Sequence, residues 1–266
     1  MTGEPLVLLE IDARGVATVT LDRPERHNAL SSALVEALTA TLVRLGGDPA
    51  VRAVVLASAG PTFCAGADVG EMRLAGAASP ADNEREARCL ANLLVQLDAL
   101  PHPTVARVQG NAFGGALGLI AACDVVVAAD AAQFALTEVR LGIVPAMISP
   151  FVLRAIGARQ ARRFFLTAER FDAAAAERLG LVHVVAPTAG LDIAVADVVA
   201  ELLGGAPGAQ AEAKRLIRHI ARRSDDEDRE LAVETARWIA RLRATEEGRE
   251  GLGAFLERRT PAWRRD

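Results

Sequence analysis

A chain of 266 residues with 51% hydrophobic and 24% charged content can bury a large core and leaves little room for long disorder. Its net charge is −4 and Lys214 is its only lysine, so nucleic acid and anionic membranes gain no general attraction and are not expected partners. It has no apolar run of about 18 residues to span a bilayer, and its first ten residues lack the basic-then-apolar order of a secretory signal. Cys64, Cys89 and Cys123 are odd in number and far apart, which points to reduced thiols and a cytoplasmic setting. His27, His102, His183 and His219 show neither HExxH spacing nor a cysteine partner, so no metal or separate cofactor is expected.

In chain order, residues 6–11 and Val16–Leu21 predict a hairpin around Asp12-Ala13-Arg14-Gly15. Asp22-Arg23-Pro24 breaks that pattern. Leu34, Leu38, Leu42 and Leu45 then recur at helical spacing until Gly46-Gly47. Residues 51–57 form a continuous apolar run, as in a strand buried on both faces. From Ser58 to Asp68 the small residues are too many for an ordinary connection. Ser79 can cap a helix with Pro80 in its first turn and Leu90, Leu94 and Leu97 as its buried stripe. Thr104–Val108 is the next strand, and Phe113-Gly114-Gly115 leads into a small-residue helix ending at Cys123. Residues 125–128 and 133–136 read as strands, with Glu138 just beyond.

From Pro150 onward the reading is mostly helical, interrupted by a strand at 181–185. Strands alternating with helices predict an α/β core with parallel pairing. Gly204-Gly205-Ala206-Pro207-Gly208 is the best boundary, dividing a core of residues 1–203 from a helical region of residues 204–266. The helices of that region have no sheet of their own, so apolar positions such as Leu216, Ile217 and Ile220 need cover from elsewhere in an assembly. Lys214, Arg215, Arg218, His219, Arg222 and Arg223 read as a solvated basic face.

Several chemistries fall away for want of their motifs: there is no strand-borne GxGxxG, no P-loop and no GxSxG elbow. Two small-residue turns remain, Cys64-Ala65-Gly66-Ala67-Asp68 and Phe113-Gly114-Gly115-Ala116, each after an apolar strand. Small side chains let a ligand approach the backbone, and a helix opening at Gly115 leaves amide hydrogens unpaired. Two such amides on one oxygen would stabilise charge developing on a carbonyl. For either turn alone, tight helix–strand packing is the commoner explanation. Glu138 stands among Phe134, Leu136, Val139, Leu141 and Ile143, where desolvation would raise its pKa toward proton-transfer duty; a glutamate at a helix start is the plainer reading.

These stretches resemble the enoyl-CoA hydratase/isomerase (crotonase) superfamily over nearly the whole chain. The carrying motifs are Leu21-Asp22-Arg23-Pro24 with Asn28-Ala29-Leu30, then residues 63–72, residues 109–116, Ala122-Cys123-Asp124, Gln133-Phe134 and residues 138–145. The resemblance implies an acyl-CoA thioester as substrate, with the amides of Ala67 and Gly115 forming an oxyanion hole and Glu138 moving the proton. It also implies that Ala65, Ala67, Asp68, Val69 and Gly70 line the CoA moiety, with Arg26 near its phosphates. The tail Phe255-Leu256-Glu257-Arg258-Arg259 matches the family's ending, where Phe255 and Arg258 meet the adenine and ribose phosphate on the same or a neighbouring subunit. The implied fold is a spiral of ββα turns with C-terminal helices that assemble trimers and hexamers.

One departure bears on the reaction. Straight-chain hydratases of the family use two glutamates, and the earlier falls here at Gly118. Residues 113–120 and 144–151 are instead similar to a branch of methylglutaconyl-CoA and isohexenylglutaconyl-CoA hydratases. The expected activity is therefore hydration of a branched enoyl-CoA. Arg140 could take a distal substrate carboxylate, although exposed arginine is the commoner state. Two rivals stay open: an enoyl-CoA isomerase, for which one carboxylate suffices, and a non-catalytic CoA- or RNA-binding protein.

Overall fold

The described residues of this computed structural model are 5–221 and 245–263. Strands β1 (Val7–Ile11) and β2 (Val16–Leu21) form the expected hairpin, whose turn is closed by the Asp12 carboxylate accepting the amides of Arg14 and Val16 at 2.9 and 3.0 Å. Next in the sheet come β3 (Ala53–Ser58), β5 (Thr104–Val108), β7 (Val125–Ala129) and β10 (Val184–Ala186), giving the order β1-β2-β3-β5-β7-β10. Only the β1–β2 pair is antiparallel. Every residue of β3 is buried, which is why that stretch is a continuous apolar run.

There is a second sheet, of which pattern alone predicts only the strand at 133–136. It consists of β4 (Thr62–Cys64), β6 (Asn111–Phe113), β8 (Gln133–Ala135) and β9 (Phe171–Asp172), in that order. The first three run parallel and β9 returns antiparallel. Each successive pair, β3–β4, β5–β6 and β7–β8, therefore contributes one strand to each sheet before a helix follows. That is the ββα spiral.

Helix α1 (Ser32–Gly46) is capped by Ser31, whose hydroxyl accepts the Leu34 amide at 3.3 Å, and it buries Leu34, Val35, Leu38, Leu42 and Leu45. Helix α2 (Val69–Ala77) starts at Asp68, and α3 (Pro80–Ala99), capped by Ser79 as expected, buries Leu90, Leu93, Leu94 and Leu97. Helix α4 (Gly115–Ala122) lies in the interior with nearly all of its residues buried. Each leucine so buried stabilises the fold by roughly 1.5–3 kcal/mol before entropy is counted. Helices α5 (Ser149–Thr167), α6 (Ala173–Leu179) and α7 (Leu191–Leu203) complete the core, α7 packing on the outer face of β5 and β7. No described helix is long and apolar enough to cross a membrane.

After Gly204 and Gly205, α8 (Pro207–Ile220) and α9 (Glu246–Glu257) pack together, and the Glu247 carboxylate accepts the amides of Gly208 and Ala209 at the start of α8. The reading of a solvated basic face is corrected here for Lys214, while Arg215 stays exposed. Lys214 is buried, and its ammonium donates to the Asp124 carboxylate at 2.5 Å and the His102 carbonyl at 3.0 Å. Arg218 donates to the carbonyl of Asp98, and Arg215 pairs with Glu212. Lys214 turns inward because Asp124, which also takes the Thr104 amide and hydroxyl, offers it an anion across the fold. Arg222 and Arg223 lie outside the described residues.

Candidate active site

Strands β4, β6 and β8 are parallel neighbours, so their carboxyl ends open on one side of the small sheet. The chain leaving β4 reaches Ala67, that leaving β6 reaches Gly115, and that leaving β8 reaches Glu138. Three segments far apart in sequence are thus delivered to one place by three-residue strands, at the edge where ligands commonly bind parallel α/β sheets.

The Ala67 amide is aimed by its neighbours. Leu30 forms an isolated parallel bridge with Ala67, donating to the Gly66 carbonyl at 2.8 Å and accepting from the Asp68 amide at 3.1 Å. Those bonds use the groups on either side and leave the Ala67 N–H outside the bridge, close to the start of α4. There a Cβ on Gly115 would lie 3.8 Å from the Ala67 nitrogen. Gly115 is the first residue of α4, so its own N–H has no intrahelical partner. Two glycines make this approach feasible. Gly66 has φ +94, and a Cβ there would meet the Phe113 carbonyl oxygen at 2.8 Å; Gly114 has φ +52, and its Cβ would meet Glu138 Oε1 at 3.2 Å.

Glu138 opens a 3-10 turn, Glu138–Leu141, that Gly142 ends in the left-handed region. Its Oε2 is buried without a hydrogen-bond partner. Burial holds its carboxyl above the ordinary glutamate range, against the weaker opposing pull of its own backbone amide. The cleft around it is lined by Ala65, Gly66, Ala67, Val69, Gly114, Gly115 and Thr137, and by the apolar side chains of Met72, Leu90, Leu141, Ile143, Val144, Pro145, Met147 and Ile148. Cys64, directly before the first turn, is no rival nucleophile, because burial pushes its thiol up to about 12.

The other expected residues are placed differently. Asp68 is committed to capping α2, accepting the amides of Gly70 and Glu71 at 3.0 and 3.4 Å, and it faces Arg23 at 3.8 Å. Arg26 is exposed on the 3-10 turn Pro24–Arg26, tied to the first small-residue turn where the Ala65 amide donates to the His27 carbonyl at 3.0 Å. Arg140 is exposed and is not among the cleft-lining residues. Arg258 is exposed just past α9, with φ +55. The side chain of Phe255 lies outside the described residues. The described hydrogen bonds of the tail hold it to its own chain elsewhere: Arg52 donates to the Trp263 carbonyl, and the Trp263 indole donates to that of Gly204.

Sequence reasoning assigned no role to three residues that build the site. Leu30 aims Ala67. Asn28, fully buried, holds the preceding loop by donating to the carbonyls of Ala59 and Thr62 while accepting the Arg23 amide. Ile148 packs against Gly118, the position where a second glutamate was sought. The Asn28-Ala29-Leu30 motif was the available signal for the first two; for the third the sequence offered only the branch-like stretch 144–151, with no role for Ile148 itself.

The family model described as enoyl-CoA hydratase/isomerase matches residues 12–266. The chain belongs to that family. A crystal structure of an enoyl-CoA hydratase from Shewanella pealeana is similar to it at 39% identity and a TM-score of 0.92, covering 97% of this chain and 96% of that one. Enoyl-CoA hydratase AKT6-1 of Alternaria alternata is 36% identical over 217 residues, 80% of this chain and 70% of its own length. The enoyl-CoA isomerase/hydratase fer4 of Mycosarcoma maydis is 33% identical over 275 residues, covering 98% of each. The mixed α/β spiral is therefore the architecture this chain shares with its structural neighbours.

Proposed function

We propose that this enzyme hydrates a branched enoyl-CoA thioester, using the amides of Ala67 and Gly115 and the single carboxylate of Glu138. The observation that carries the reading is the convergence of two unpaired backbone amides with a desolvated carboxylate, one of whose oxygens has no partner, in an apolar cleft. The thioester oxygen accepts both N–H groups, which stabilise the enolate that forms as a nucleophile adds to the β-carbon. Glu138 takes a proton from water while the water oxygen bonds that carbon, then returns a proton to the α-carbon. The product is a β-hydroxyacyl thioester.

The finer reading concerns the acyl group. A second hollow shares Ala67, Met72, Leu90 and Met147 with the cleft and runs on to Ser32, Val35, Glu86, Ala87 and Cys89, which gives room for a branch. Apart from Thr137 and Glu138, the side chains lining the cleft are apolar and none is cationic. An uncharged branch suits that lining better than the distal carboxylate of a glutaconyl chain. The isomerase reading is favoured by one observation, that a lone carboxylate is enough to shuttle a proton between carbons. Mass spectrometry on a panel of enoyl-CoA thioesters separates the two: hydration adds the mass of one water, isomerisation adds none. Rapid isomerisation of 3-enoyl thioesters with every 2-enoyl thioester left unhydrated would replace hydratase with isomerase.

Arg26, Phe255 and Arg258 would serve the CoA end, the last two from a neighbouring subunit. An assembly of three or six copies is supported by α8, which buries Glu212 and Lys214 yet leaves Ile217 66% and Ile220 41% exposed. Such inverted burial leaves apolar surface for another copy to cover, and closed symmetry is the usual outcome. Light scattering at micromolar concentration should give a trimeric or hexameric mass; a monomer would contradict this.

A further inference from the structure

We propose that Ile148 sets the substrate preference of this site, by standing where a second acid/base would emerge and offering an apolar seat to a substituent on the β-carbon instead. This rests on the hydratase reading above. A Cβ added at Gly118 would lie 2.4 Å from Ile148 Cγ2, 2.9 Å from Ile148 Cβ and 3.0 Å from Leu94 Cδ1. No side chain at 118 can coexist with Ile148 as it stands, so the missing glutamate and the isoleucine are one interlocked feature.

Geometry says which part of the substrate meets it. Gly115 and Gly118 share one face of α4, since residues three apart are helical neighbours. Gly118 lies roughly 4.5 Å along the axis from the oxyanion donor at Gly115. With the thioester oxygen held at Gly115, the β-carbon and its substituents, two bonds on from the carbonyl carbon, reach toward that next turn. Ile148 is 2% exposed and lines the cleft there. Its carbonyl accepts the amides of Phe151 and Val152 at 3.1 and 3.0 Å, which fixes its backbone at the start of α5. A β-methyl group would thus pack on a rigid aliphatic wall, while an unbranched chain would leave a gap beside it.

The test compares kcat/KM for β-methylcrotonyl-CoA and crotonyl-CoA. The native enzyme should prefer the branched thioester by about tenfold or more, the usual scale for one methyl group in an apolar pocket. Ile148→Ala should cut that ratio by about tenfold, and Ile148→Val, which keeps most of the packing and guards against loss of folding, by a smaller factor. A second readout tests the interlock directly: Gly118→Ala should lower the unfolding midpoint, and lower it less when Ile148 is already alanine. A selectivity ratio unmoved by either Ile148 variant, or equal losses of stability in both backgrounds, would overturn the proposal while hydration itself persisted. Failure of the native enzyme to hydrate any thioester would instead overturn the hydratase reading, and this inference with it.

Discussion

Replacing Glu138 with glutamine is expected to lower enoyl-CoA turnover by about 10²-fold or more, with thioester binding retained. Glutamine keeps the shape of the side chain and removes the only proton acceptor among the side chains lining the cleft. The same change should not cost stability. Burial raises the folded-state pKa of Glu138 above its ordinary value of 4.5, so folding favours the protonated acid. The stability linked to that proton is full below the unfolded value and is lost as pH rises through the folded one. At neutral pH the native enzyme therefore bears a desolvation cost that the glutamine variant lacks. Denaturation at pH 7 should find Glu138→Gln at least as stable as the native chain, and kcat/KM of the native enzyme should fall on acidification at a pH above the usual glutamate range. A variant that is stable and nearly fully active would remove Glu138 from the mechanism; a markedly destabilised one would mean that its role is structural.

The second large effect is expected at Gly115. Gly115→Pro deletes the N–H at the first position of α4, where proline's fixed φ is compatible with a helix and no intrahelical bond is lost. Losing one oxyanion donor typically costs about 10²–10³ in rate. Gly115→Ala keeps the amide, and its methyl would lie 3.1 Å from Leu30 Cδ1, the mobile end of a side chain that can yield by a few tenths of an ångström. Turnover by the alanine variant should therefore far exceed that of the proline variant, measured at saturating thioester. Equal and large losses would assign Gly115 to packing rather than to the oxyanion.

What could be read beforehand, and what could not, follows from element length. The four inner strands β2, β3, β5 and β7 of the large sheet are runs of five or six mostly buried residues, and α1 and α3 carry leucine at helical spacing, so pattern reveals them. The small sheet that assembles the site is built from β4, β6 and β8, each three residues long. Three residues carry no periodicity. The neighbourhoods of β4 and β6 were visible only as an excess of small residues, while β8 reads as a strand at 133–136; the convergence of Ala67, Gly115 and Glu138 came from motif order. Lys214 was misread for a related reason: helical spacing places it with Arg215 and Arg218, but only the partner across the fold, Asp124, shows that it points inward. The Gly118–Ile148 interlock joins positions thirty residues apart on different elements, a contact that no local pattern encodes.

The central claim is that one carboxylate and two amides suffice to add water across an enoyl thioester. Single-turnover reaction of the native enzyme with β-methylcrotonyl-CoA in heavy-oxygen water tests it most directly, read by mass spectrometry. The account predicts a β-hydroxyacyl product carrying one heavy oxygen atom, formed far more slowly by Glu138→Gln. A product of unchanged mass with its double bond moved, or no product from any branched or straight 2-enoyl thioester, would contradict it.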